Sequence, residues 1–284
     1  MVRTPIRGEV RSGFTLIELL VVMAIIVVLV GLTSAAAMRL FVKGPELQAK
    51  ADINQLSMAI SAFKQEFGVK TMPSRIILHE NMSEYNLADP IEAESRAFLG
   101  MMFGRRLQAQ IDWNGDGAIQ TGPAGRFDLS GEQCLVFFLG GAQLHGAQNS
   151  CLGFSTSPTN PMQPGGTRRG PFFDFKANRL VPDGANQFFV YWDPFARPSP
   201  PRQPFVYLAD HGTNQYRPDS TRVAPYRSNA ATFVNQGGFQ IICAGLDGFF
   251  GNPATWSPTT GNTDPNGKDD FSNFSSKRLG EPQE

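Results

Sequence analysis

Two patterns of apolar spacing organise the first 70 residues. The first is a run from Leu19 to Met38, 20 residues without a charge. As a helix rising 1.5 Å per residue, such a run covers about 30 Å, the thickness of a bilayer's hydrocarbon core. The second is a stripe, Ala49, Ile53, Leu56, Ile60, Phe63 and Phe67, spaced 4, 3, 4, 3, 4. That spacing puts six apolar side chains on one helix face, while Lys50, Asp52, Asn54, Gln55, Lys64, Gln65 and Glu66 fill the other. Gly44-Pro45 separates the two patterns and predicts a kink or short break. Gly68 is the expected stop, with Pro73 beyond it.

Further along, the pattern shortens. Residues 90–110 predict a helical piece carrying Ala97, Phe98, Met101, Met102 and Leu107. GEQCLVFFLGG (131–141) is apolar without periodicity, so a buried strand and a helical turn both fit it. Residues 155–171, rich in Ser, Thr, Pro and Gly, predict loop. In the last hundred residues QFFVYWD (187–193), FVYLAD (205–210) and GFQIICAG (238–245) are aromatic and β-branched runs ended by turn residues, hence strands. The predicted fold class is α+β: a long N-terminal helix, first transmembrane and then amphipathic, packed on a C-terminal antiparallel sheet. The expected divisions are a leader (1–13), a transmembrane segment (14–43), an amphipathic helix with its exit (44–75), a loop-rich insertion (76–185), and the sheet with an acidic C-terminal loop (186–284).

The leader adds charge to this picture. Arg3, Arg7 and Arg11 against Glu9 precede the run, and positive charge beside a span holds that end in the cytoplasm. The chain after the span is then exported. A secretory signal would have a shorter apolar core and a small-residue cleavage site, which Ala35–Ala37 only imitate. Glu18 stands alone at the head of the apolar run. Either it snorkels idly at the membrane edge, or it meets a cation on a neighbouring subunit. A cut after Gly13 would supply that cation as the new α-amino group of Phe14.

These residues, G-FTLIELLVV behind a basic leader, resemble the class III signal of type IV pilins and type II secretion pseudopilins. The resemblance implies that Gly13 is the prepilin peptidase cut site, Phe14 the methylated first residue and Glu18 the assembly acid. It implies a structural subunit, not an enzyme, anchored by a single pass in the bacterial inner membrane, with a cytoplasmic leader and a periplasmic domain. The implied partners are copies of itself, other pilin-like subunits, the peptidase, an inner-membrane assembly platform and membrane lipid. The helix AKADINQLSMAISAFKQEF and the Asp193-Pro194-Phe195 turn before the Tyr207 strand are similar to the major pseudopilin, which points to the secretion branch. A type IV pilus subunit (adhesion, motility or DNA uptake) and a membrane-anchored ligand-binding module are the other readings.

Composition narrows this modestly. The 25 basic and 25 acidic residues balance, so bulk charge suggests no nucleic-acid partner. No zinc spacing, Gly-x-Ser-x-Gly elbow or phosphate loop accompanies the three histidines. Of the three cysteines, Cys134 and Cys151 are nearest in sequence; an exported compartment permits their disulfide, and free buried thiols fit as well. Two segments suit calcium. Asp112, Asn114 and Asp116, with Gly117, follow the opening of an EF-hand-type loop, but Pro123 stands where the closing acid belongs and Asp128 would have to substitute. An Asx-Gly turn without an ion fits the same residues. Near the C-terminus AGLDGFFGN and DPNGKDDFSNF resemble the calcium loop of major pseudopilins, which implies Asp247, Asp269 and Asp270 as ligands.

Overall fold

Helix α1 spans Leu16–Phe67 in the computed structural model, which describes residues 15–184, 187–197 and 202–283, the side chains of 34–42 and 255 excepted. The helix runs on through Pro45, so the expected break at Gly44-Pro45 is absent. A proline removes one intrahelical bond and restricts the residue before it through that residue's Cβ. Gly44 has no Cβ, which removes that part of the clash. The chain divides into two compact units at Pro45/Glu46. In the first, Leu16–Thr33 is the one stretch among the described residues long and apolar enough to cross a membrane, and none of it is buried.

The second unit, Glu46–Glu284, holds the core. All six stripe residues of α1 are buried, Ala49, Leu56, Ile60 and Phe63 completely. The helix stops at Gly68, whose φ of +63° suits a residue without Cβ, and the Val69 amide closes back on the Lys64 carbonyl at 3.0 Å. Asp52, on the polar side of the stripe, is also buried and pairs with Arg179 at 2.7 Å. Burying two charges together is tolerable because each neutralises the other.

After α1 come β1 (Ile76–His79), α2 (Pro90–Phe103), β2 (Arg126–Leu129) and α3 (Gly131–Gly140). β1 and β2 pair antiparallel, Ile76 opposite Leu129 and His79 opposite Arg126. Asp89 caps α2 with its carboxylate, and Pro90 stands at the first helical position. The ambiguous apolar run is α3, a helix with all ten residues buried. Ser130 and Gln133 form a reciprocal capping box at its start, and Gly141 ends it at φ +72°. Gly131 lies so close to the Tyr207 carbonyl that a Cβ would collide with it.

The expected strands are present, in two sets. β3 (Leu180–Pro182) and β4 (Phe189–Tyr191) form their own antiparallel pair. β5 (Val206–Ala209), β6 (Phe239–Cys243) and β7 (Phe271–Ser272) form a three-stranded sheet with β6 in the middle. The 187–193 run therefore pairs with the end of the 76–185 segment, not with the main sheet. Both faces of the main sheet are covered. Tyr207, Ala209, Ile241, Cys243 and Phe271 join the cluster containing the α1 stripe and α3. Val206, Leu208 and Ile242 join a second cluster with Tyr226, Trp256 and Leu279. The α1 exit is stitched to β5: the Tyr207 hydroxyl donates to the Met72 carbonyl at 2.6 Å, and the Ala209 amide to Ser74 Oγ at 2.9 Å. Residues 76–185 thus belong to the same core as the rest of this unit, with Phe137, Phe138 and Phe154 completely buried in it.

Candidate functional site

The N-terminal element starts at Thr15. Its amide and hydroxyl both donate to Glu18 Oε2, at 2.9 and 2.8 Å, and the Glu18 amide donates back to Thr15 Oγ1 at 3.3 Å. This reciprocal cap satisfies helix-start donors and holds the carboxylate at the head of α1. Gly13 and Phe14 lie outside the described residues. Beyond Glu18, Leu19, Leu20, Val21, Val22, Met23, Ile25, Ile26 and Val27 are all exposed. An uncovered apolar helix surface of this kind calls for lipid or other helices.

A second constellation gathers at the end of β1. Trp113, completely buried, donates its indole N–H to the His79 carbonyl at 2.9 Å. The Ile111 amide donates to the Glu80 carbonyl at 2.8 Å. These bonds lay the 112–118 loop beside Glu80. Inside the loop the amides of Gly115 and Gly117 donate to Asp112 at 2.7 and 2.8 Å, and that of Ala118 to Asp116 at 2.8 Å. One oxygen each from Glu80, Asp112 and Asp116 lie within 4.8 Å of one another, the only such group of three acids, histidines or cysteines among the described residues. Glu80 is completely buried. Its Oε2 accepts the Gln120 amide at 2.6 Å, and its Oε1 has no hydrogen-bond partner. Burial, with the two aspartates adding repulsion, pushes its carboxyl up to about 7 against the pull of that amide. Asp128, the expected substitute acid, is engaged elsewhere: it takes Arg75 in a two-pronged bond at 2.9 and 2.7 Å. Sequence reasoning missed Glu80, which stands 32 positions before Asp112.

The C-terminal acids are arranged differently. Asp269 Oδ2 accepts the amides of Leu246 and Asp247, the latter at 2.9 Å. Asp247 caps its own turn through the Phe249 amide at 2.8 Å. Asp270, completely buried, accepts the Gly251 amide at 2.9 Å and the Tyr226 hydroxyl at 3.3 Å, and burial pushes its carboxyl up to about 8. The three share two adjoining loops without converging as Glu80, Asp112 and Asp116 do. Asp193 begins the expected turn, accepting the Phe195 amide at 3.0 Å. It also pairs with Arg197, which reaches the Gly245 carbonyl at 2.6 Å and ties the turn to the loop containing Asp247.

The Cys134–Cys151 disulfide does not form; all three cysteines are free thiols. Cys134 lies in the first turn of α3, whereas Cys151 packs against Gly140 at the helix's last residue. Six residues of helix rise roughly 9 Å, more than the separation a disulfide bridges. Burial pushes the pKa of all three thiols up, that of Cys151 to about 12, so they are weaker acids than an exposed cysteine.

The apolar, exposed stretch Leu16–Thr33 of the N-terminal helix is the arrangement of a single-pass, membrane-anchored protein. The family model for the prokaryotic N-terminal methylation motif matches residues 10–34, consistent with the type IV pilin-like and pseudopilin family. No curated protein and no solved structure matches the chain.

Proposed function

We propose that this chain is a structural, pseudopilin-like subunit of a type II secretion system. The observation that carries the reading is one continuous helix with two environments: an uncovered apolar half carrying Glu18, and a half whose stripe is buried in the globular unit. The leader holds the precursor with its N-terminus in the cytoplasm and residues 46–284 in the periplasm. Prepilin peptidase cuts after Gly13 and the new amine of Phe14 is methylated. The apolar half then leaves lipid for a bundle of like helices, as the Glu18 carboxylate of one subunit meets the Phe14 amine of its neighbour and spares both charges an unpaired burial. The secretion branch is favoured over a pilus subunit by the C-terminal region. Its acidic Gly-Asp loops, which resemble those of the secretion branch, are closed by carboxylate–amide bonds from Asp269 and Asp247.

Mass spectrometry of the membrane-extracted protein tests the first step. The expected mature chain begins at a methylated Phe14; an intact Met1, or a cut near Ala35–Ala37, defeats the reading. Glu18→Ala tests the second. It should be processed normally and fail to enter fibres in a shearing assay, and a normal fibre yield would remove the assembly role.

A further inference from the structure

We infer that Glu80, Asp112 and Asp116 form a calcium site, in which a glutamate from the end of β1 supplies the closing carboxylate that the 112–123 loop lacks. The loop alone, with Pro123 in the closing position, has too few acids to hold the ion. The fold repairs this by bringing in Glu80 through the Trp113–His79 and Ile111–Glu80 bonds. The independent sign of a ligand is Glu80 itself. Its side chain is completely buried, its Oε1 is unpartnered, and it lies in a group whose other members are carboxylates. Among the described residues no lysine, arginine or histidine forms an ion pair with any of the three. A buried carboxylate beside two further acids, with one oxygen unpartnered and no ion pair from the protein, is stable when a cation comes from solution.

The donor chemistry selects the ion. Three carboxylates, with the Asn114 amide oxygen in the same loop, are hard oxygen ligands, and the cluster contains no thiolate or imidazole, which zinc and copper prefer. The neighbouring His79 is turned to Glu92, with its Nε2 3.2 Å from the carboxylate. Calcium takes six to eight oxygens in adaptable geometry, whereas magnesium demands a near-ideal octahedron and keeps most of its water. A loop with positive φ at Gly115 and Gly117, joined to a separate strand, suits the more adaptable ion. Once bound, the ion clamps the 112–118 loop to β1. It thereby fixes one end of the antiparallel pair that β1 makes with β2.

The test uses the full-length protein in detergent micelles, stripped with chelator and titrated with calcium chloride by calorimetry. A parallel titration with terbium reads emission sensitised through Trp113. Wild type should bind calcium and melt at a higher temperature with it than without. Glu80→Gln should lower the affinity at least tenfold, and so should Asp116→Asn, an exposed position whose substitution leaves the core intact. Asp269→Asn with Asp270→Asn should leave the affinity unchanged. No calcium binding by wild type, or wild-type affinity in a folded Asp116→Asn protein, overturns the inference. So does binding lost only in the Asp269/Asp270 double variant, which would move the site to the C-terminal loops.

Discussion

Asp210 shows how one buried carboxylate organises its surroundings. It is 1% exposed, and burial by itself would raise its pKa. Four main-chain amides outweigh that cost: Gly212 and Gln215 donate to Oδ1 at 3.1 and 2.7 Å, Asn214 and Gly237 to Oδ2 at 2.8 and 2.6 Å. The folded-state pKa is therefore below the ordinary aspartate value. A depressed carboxylate pKa contributes stability that is complete above the unfolded value, about 3.9, and is lost as the pH falls through the folded value. Asp210→Asn keeps the shape but offers one acceptor oxygen and no charge. It should cost about 1–3 kcal/mol at pH 7, and the gap to wild type should narrow at pH 3. Thermal unfolding of both proteins at the two pH values checks this; an equal gap would show that shape, not charge, matters. At this scale the sequence was partly legible. The Asp112-x-Asn114-x-Asp116-Gly117 spacing announced an oxygen-rich turn because its donors are local. Glu80 was silent, since only the β1–β2 pairing and the Trp113 hydrogen bond bring it to the loop.

Among elements, α1 was the most legible. Its stripe repeats at the helical period because one side faces a core and the other water. Strand pairing was harder: the 187–193 run has strand composition, but nothing in its residues names its partner, and β4 pairs with β3. α3 was ambiguous because burial on all sides removes the polar face from which a period is read. Its capping box, Ser130 with Gln133, was the available signal. The Asp52–Arg179 pair joins α1 to the chain entering β3, and the Arg179 guanidinium also lies 4.2 Å from the centre of the Tyr191 ring on β4. Asp52→Ala leaves a buried arginine uncompensated and should destabilise by about 3–5 kcal/mol. Replacing both partners by apolar residues, Asp52→Leu with Arg179→Met, should recover most of that loss. Urea unfolding of the single and double variants decides the point, and a double variant as weak as the single one would show that packing around the pair dominates. Phe63→Ala removes a completely buried ring that meets Phe138 of α3 at 5.5 Å, and should cost about 3–5 kcal/mol in the same assay.

For the whole molecule, the N-terminal motif and the apolar run were readable because both are contiguous. The sharing of one core by residues 76–185 and the C-terminal sheet was not, because burial joins residues far apart in the chain. A protein lacking 76–185 should therefore lose cooperative unfolding, having lost α3 with Phe137 and Phe138. Circular dichroism of the deleted protein tests this; a sharp transition would show that the sheet and α1 suffice. The proline within α1 has a practical counterpart. In the intact helix Pro45 is a missing donor at mid-length. In a chain begun at Gly44, the same ring falls in the first turn, where no amide partner is needed and its fixed φ favours helix initiation. Glu46 then follows at the positive end of the helix dipole. The residue least suited to the full-length helix thus marks where a recombinant, detergent-free version of the globular unit should begin.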